Sequence, residues 1–291
     1  MRATAALAVA LAPALGGCAQ LELAVANGAE LTNGAYAREA DVAYGSEPVQ
    51  RLDLYRPAAE GPGPLRTLVV FVHGGRWSSG DKSEYRFLAA GLAERGLVVV
   101  VPDYRLYPSA RMDAAAEDVA RAVAWAELAA RRYGADPERI VLMGHSAGAQ
   151  LAALVANDPR WLAEAGARPV RAFVGFAGAY DFLPLTDADL IDYFGPPAHY
   201  AASQPVNFVG PASPPAFLAY GLEDSTVKPR NIRSMSERLK AAGVPVEVRL
   251  LPGEDHGGVL KRFARFFRGK DPVYASLLRF LEAPPSRAPG A

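Results

Sequence analysis

Three uninterrupted apolar runs constrain this chain more than any other feature: LVVFV at 68–72, within LRTLVVFVHGG, LVVVV at 97–101 and IVLM at 140–143. None alternates with polar residues, so each reads as a strand covered on both faces. Helical spacing separates them. Residues 82–95 form one such stretch, and 113–133 another, with Ala115, Val119, Ala122, Val123 and Ala126 falling on one face. The alternation continues through a helix at 147–157, strands in VRAFVGFAG and PAFLAYG, a helix at 229–242, a strand in VPVEVRLLPG and a helix at 260–267. Buried strands and helices taken in turn predict an α/β fold: one mostly parallel central sheet with helices on both faces. Upstream, DVAYGSEPVQRLDLYRP alternates around a Gly-Ser break and predicts an antiparallel edge hairpin, and GPGP at 61–64 predicts a turn. The proline-punctuated stretch 181–215 predicts an irregular insert or small lid. Its Phe182, Tyr193 and Phe194 suit either an apolar substrate group or ordinary packing.

The segment before the domain has a different character. One basic residue, Arg2, precedes an apolar stretch from Ala3 to Leu15, which is too short to span a bilayer but fits the apolar core of an export signal. Leu15-Gly16-Gly17-Cys18 resembles a bacterial lipobox, in which the cysteine is lipidated. The expectation is therefore a signal at 1–18, a tether or short helix at 19–40, a domain at 41–283 and a disordered tail at 284–291. The expected location is outside the cytoplasm, held to a membrane through Cys18, or else periplasmic or secreted. Cys18 is the only cysteine, which excludes an intrachain disulfide and a cysteine-based zinc site, and no metal is expected. With 31 basic and 31 acidic residues the chain offers no net charge to attract nucleic acid, so a small neutral molecule is the expected partner. The sequence leaves the oligomeric state open.

Gly144-His145-Ser146-Ala147-Gly148 matches G-x-S-x-G, a weak signal alone. Here it follows a predicted strand and opens a predicted helix, the context of a nucleophile elbow. A serine hydroxyl needs a base, and of the four histidines His256 lies on a loop at the carboxyl end of the last strand, where open α/β sheets build their sites. His73, His145 and His199 are placed elsewhere. The base needs a carboxylate, and Asp224 lies furthest around the loop after PAFLAYG, with Glu223, Asp255 and Asp181 as weaker candidates. His73-Gly74-Gly75 follows the first buried strand, so the N–H groups of Gly74 and Gly75 are expected to join that of Ala147 in an oxyanion hole. Trp77 and Tyr104 are candidates either for the pocket or for core packing beside the sheet, Arg76 a candidate anion attractor or plain surface residue, and Asp103 and Arg105 an expected supporting pair.

The segments HGGRWSSGDK, VVVPDYRLYP, DPERIVLMGHSAGAQLAAL, PPAFLAYGLEDSTV and DHGG occur in this order between about Asp41 and Leu281. Together they resemble the α/β-hydrolase superfamily, and within it HGG-type carboxylesterases of the hormone-sensitive-lipase and isoprenylcysteine-methylesterase-like kind. That resemblance implies the α/β-hydrolase fold, the G-x-x-D-x-x-V spacing at Asp224, and cleavage of short to medium acyl esters through a Ser-His-Asp triad and an acyl-enzyme, with no cofactor. Arylformamidases share HGG-x-W and the same triad, so amide or formamide hydrolysis stays open, as does a non-catalytic binding relative.

Overall fold

The computed structural model describes residues 24–31, 33–58 and 64–285. The signal-like segment with Cys18, most of the GPGP turn and residues 286–291 lie outside the described residues. Eight strands form a single sheet: β1 (Tyr36–Ala43), β2 (Arg51–Pro57), β3 (Arg66–Val72), β4 (Val98–Pro102), β5 (Ala135–His145), β6 (Ala172–Phe176), β7 (Ala216–Gly221) and β8 (Val246–Leu251). Their order is β1-β2-β4-β3-β5-β6-β7-β8. The first two strands are the expected antiparallel hairpin, and β2 also pairs antiparallel with β4; from β4 to β8 every pairing is parallel.

The uninterrupted apolar runs have the expected cause. Leu68, Val70 and Val72 of β3 enter one core layer and Val69 and Phe71 the other, so both faces of the strand need apolar side chains. Helices α2 (Met112–Ala129), α3 (Ala147–Asn157), α4 (Pro159–Glu164) and α6 (Arg230–Ala241) cover the first face. Helices α1 (Arg86–Ala93) and α7 (Pro272–Glu282), with the 3₁₀ turn Gly258–Phe263, cover the second. This division positions the site. The chain leaves β3 toward α1 on one face and leaves β5 toward α3 on the other, which opens a crevice at the carboxyl ends of these adjacent strands.

Three local expectations need correction. The predicted helix at 260–267 is a 3₁₀ turn at Gly258–Phe263 followed by further turns. Arg262 and Arg268 are both buried there, Arg262 between Glu254 and Asp271 and Arg268 against Glu30 and Glu94, and these tertiary pairings override the helical spacing. Helix α7 was not predicted, although Asp271 caps the N–H groups of Val273 and Tyr274 and Pro272 occupies the first turn, both readable start signals. The insert is less irregular than expected: it carries α5 (Ala188–Phe194) and two 3₁₀ turns, Pro197–Ser203 and Pro205–Phe208.

The described part of the 19–40 segment is packed on the domain. The Asn27 amide donates to the Glu84 carbonyl at 2.8 Å and accepts from the Phe87 N–H at 2.9 Å, which ties it to the start of α1. Glu30 is buried against the Arg268 guanidinium at 2.7 Å.

Candidate active site

The elbow follows from steric demands that two glycines meet. Ser146 sits at φ 55°, ψ −121°, between the end of β5 and the first turn of α3, and its N–H donates to the Phe176 carbonyl at 2.9 Å. A non-glycine residue at positive φ is strained, and such strain gathers at functional sites. A Cβ at Gly148 would lie 2.2 Å from the carbonyl oxygens of Val72 and His73, and one at Gly144 would lie 2.4 Å from the Gly148 carbonyl. The tight turn therefore lifts the Ser146 hydroxyl off the sheet beside the β3 loop.

Two other loops converge on that hydroxyl. Ser146 Oγ and His256 Nε2 are 2.8 Å apart, and His256 Nδ1 and Asp224 Oδ2 are 2.8 Å apart. With the hydroxyl donating to Nε2, Nδ1 carries the proton and donates to the carboxylate. The other carboxylate oxygen, Oδ1, accepts the N–H groups of Thr226 at 2.8 Å and Val227 at 2.9 Å, which fixes the carboxylate plane. Burial alone would raise the Asp224 pKa, but the hydrogen bond and charge of His256 and these two N–H donors outweigh it and hold the group below its ordinary value. The alternative carboxylates are elsewhere: Glu223 and Asp255 are exposed, Asp255 accepts from the Gly258 N–H, and Asp181 accepts from the Ser234 hydroxyl.

His145, beside Ser146 in the elbow, has a role that the G-x-S-x-G motif does not announce. Its Nε2–H donates to the main-chain carbonyl of His256 at 3.0 Å, with the two rings 4.9 Å apart. Burial, and next the charge of His256, push its pKa down to about 3, so it is a neutral donor. The signal was the imidazole itself, a polar group at a position the elbow forces inside.

The β3 loop departs from expectation at Gly74. Its N–H donates to the Tyr85 hydroxyl at 3.2 Å and is not free to serve an oxyanion. A Cβ at this position would lie 3.2 Å from Ser146 Cβ and 3.0 Å from His145 Nδ1, contacts tight enough that one of those side chains would have to shift. The N–H groups of Gly75 and Ala147 have no acceptor among the described residues. Gly75, Arg76 and Trp77 have φ values of 119°, 55° and 60° in succession. Such left-handed runs gather main-chain N–H groups into concave anion sites. Tyr85 could not be found by motif, since it reaches the loop from the next 3₁₀ turn.

The expected pocket residues are packing residues. Tyr104 is 1% exposed, stacks on His73 at 4.4 Å and donates its hydroxyl to the His73 carbonyl at 3.0 Å, bracing the β3 loop from below. Trp77 is 6% exposed, packs on Phe182, Tyr193 and Phe194 of the insert, and donates its indole N–H to Gln150 at 3.0 Å. The Gln150 amide in turn donates to the Ser203 carbonyl, so this buried polar side chain of α3 ties the β3 loop to the insert. Asp103 and Arg105 do not pair with each other: Asp103 binds Lys82 and Arg105 binds Asp118, each at 2.8 Å. Arg76 pairs with Asp187 at 2.5 Å, both half-exposed. A cavity of about 420 Å³ lies beside the insert, lined by Arg111, Met112, Tyr193, Phe194 and His199 among others, and neither Ser146 nor His256 lines it.

A mostly parallel sheet with a serine elbow after β5, an acid after β7 and a histidine after β8 is the α/β-hydrolase fold. The chain belongs to the BD-FAE family, whose model matches residues 52–239. It is 28% identical over 273 residues to the isoprenylcysteine alpha-carbonyl methylesterase ICME of Arabidopsis thaliana, which covers 83% of this chain and 61% of that protein. It is 31% identical over 243 residues to esterase LipC of Mycobacterium tuberculosis, covering 76% and 60%. The chain thus spans about 60% of the length of these curated relatives. Among solved structures, apo Thermogutta terrifontis esterase 2 superposes with a TM-score of 0.67 at 28% identity, over 85% of this chain and 92% of that one. Esterase B from Lactobacillus Rhamnosis shares the fold at a TM-score of 0.72 and 22% identity, over 92% and 93%.

Proposed function

We propose that this protein is a serine hydrolase that cleaves carboxylic esters through an acyl-enzyme. The observation that carries the reading is the unbroken chain of hydrogen bonds from Ser146 Oγ through His256 to Asp224, each link 2.8 Å. The relatives named as esterases and methylesterase support the same bond type. His256 Nε2 takes the Ser146 proton as the oxygen attacks the carbonyl carbon. The N–H groups of Gly75 and Ala147 receive the developing oxyanion, in a site where losing one donor typically costs about 3 kcal/mol. Asp224 holds the reactive tautomer and stabilises the imidazolium, which then protonates the leaving alcohol. Water attacks the acyl-enzyme with the same base, and Ser146 is regenerated.

Ser146→Ala is expected to cut turnover of a short p-nitrophenyl ester by on the order of 10⁴ or more, with His199→Ala near wild type. Equal loss in both variants overturns the assignment. Matched ester and anilide substrates separate ester from amide preference.

The lipobox-like Leu15-Gly16-Gly17-Cys18 supports a second element of the proposal, that the chain is exported and lipidated at Cys18. Metabolic labelling with a fatty acid that is abolished by Cys18→Ser tests it.

A further inference from the structure

The segment Lys261-Arg262-Phe263-Ala264-Arg265-Phe266-Phe267-Arg268-Gly269-Lys270 carries five basic residues, three phenylalanines and no acid. The fold divides these residues by side. Phe263, Arg262 and Arg268 are buried, both arginines in ion pairs. Phe266 and Phe267 instead stand 72% and 50% exposed, adjacent large apolar side chains in water. Ordinary surfaces expose such residues singly, and a cluster of them marks an interaction site.

The charges around them are of one sign. The acids nearest in the fold are committed: Glu254 to Lys261 and Arg262, Asp271 to Arg262, and Glu30 and Glu94 to Arg268. Arg265 and Lys270 are exposed and have no acidic partner among the described residues, Arg265 reaching only the Ala29 carbonyl at 3.4 Å. Two aromatic side chains flanked by cations without an acidic partner among the described residues have the composition that inserts at a lipid–water boundary while the cations meet anionic headgroups.

The course of the chain points to the same occupant. Arg265 and Arg268 grip Ala29 and Glu30, so the N-terminal segment runs directly alongside the exposed phenylalanines. That segment adds exposed apolar side chains of its own, Val25 and Leu31. Five residues lie between Cys18 and Ala24, so the six steps reach at most about 22 Å when fully extended.

We infer that Phe266 and Phe267, with Arg265 and Lys270, form a docking surface for the anionic face of a lipid bilayer. The short reach from Cys18 rests on the lipidation reading above; the surface itself does not.

The test uses the full chain carrying Cys18→Ser, which removes the acyl group and makes the outcome independent of lipidation. Phe267→Trp in that chain places a reporter at the proposed depth, read against the parent protein for its three native tryptophans. With vesicles of phosphatidylcholine and phosphatidylglycerol that carry brominated acyl chains, the added tryptophan is expected to blue-shift and be quenched. In pure phosphatidylcholine the effect should shrink, and raised salt should reverse it. Arg265→Glu with Lys270→Glu is expected to weaken vesicle partitioning on the order of 30-fold, while hydrolysis of a soluble ester stays unchanged and reports an intact fold. No quenching at any lipid composition overturns the inference. So does quenching that ignores the charge reversals, or burial of the reporter by self-association without lipid. Quenching together with unlabelled Cys18 in the cell upholds the surface and rejects only the anchor.

Discussion

Replacing Asp224 with Asn tests the geometry of the site at one atom. The variant keeps the shape and removes one negative charge. Its amide has one oxygen, and two positions compete for it: Oδ1, which accepts the N–H groups of Thr226 and Val227, and Oδ2, which accepts from His256. Two fixed main-chain donors outweigh one rotatable ring, so the oxygen stays at Oδ1 and the NH₂ faces His256 Nδ1. The imidazole then carries its proton on Nε2 and cannot take one from Ser146. Reaching the reactive tautomer requires turning the amide over and breaking two hydrogen bonds, about 2 kcal/mol. Losing the carboxylate opposite the imidazolium removes about 3–4 kcal/mol more, for unit charges some 4 Å apart at an effective dielectric near 20. The total, roughly 5–6 kcal/mol, corresponds to a loss in kcat on the order of 10⁴ with KM little changed. The assay is hydrolysis of p-nitrophenyl acetate, with near-UV circular dichroism to confirm the fold. Turnover within tenfold of wild type would show that Asp224 neither sets the tautomer nor stabilises the imidazolium.

Two further outcomes are expected. Below pH 6.5 the unfolded chain takes up a proton at His145 that the folded chain refuses until about pH 3, so stability falls with decreasing pH across that window, by up to about 1.4 kcal/mol per unit from this group. His145→Gln, which keeps a donor for the His256 carbonyl, should flatten that slope in urea unfolding at successive pH values, and an unchanged slope would place the acid sensitivity elsewhere. Gly148→Ala forces a Cβ to within 2.2 Å of two carbonyl oxygens of β3 and its loop, so it should lower the urea midpoint sharply and abolish activity; wild-type stability would contradict the close packing of α3 on β3.

The sequence by itself determined the sheet, the elbow and the identity of the three converging side chains. Each of these is written in short-range terms: runs apolar on both faces, small residues where backbones touch, and chemistry-bearing residues on loops after strands. Strand order and partner choice needed the fold. Whether Gly74 offers its N–H to a substrate depends on Tyr85, eleven positions along, and the demotion of Tyr104 and Trp77 from pocket to packing depends on His73 and Gln150. The helical spacing at 260–267 gave way for the same reason, since Arg262 found Asp271 and Arg268 found the buried Glu30, partners that no local pattern announces. A hydrogen bond or ion pair across the fold is worth as much as several residues of local propensity, and only the tertiary structure decides which partners meet.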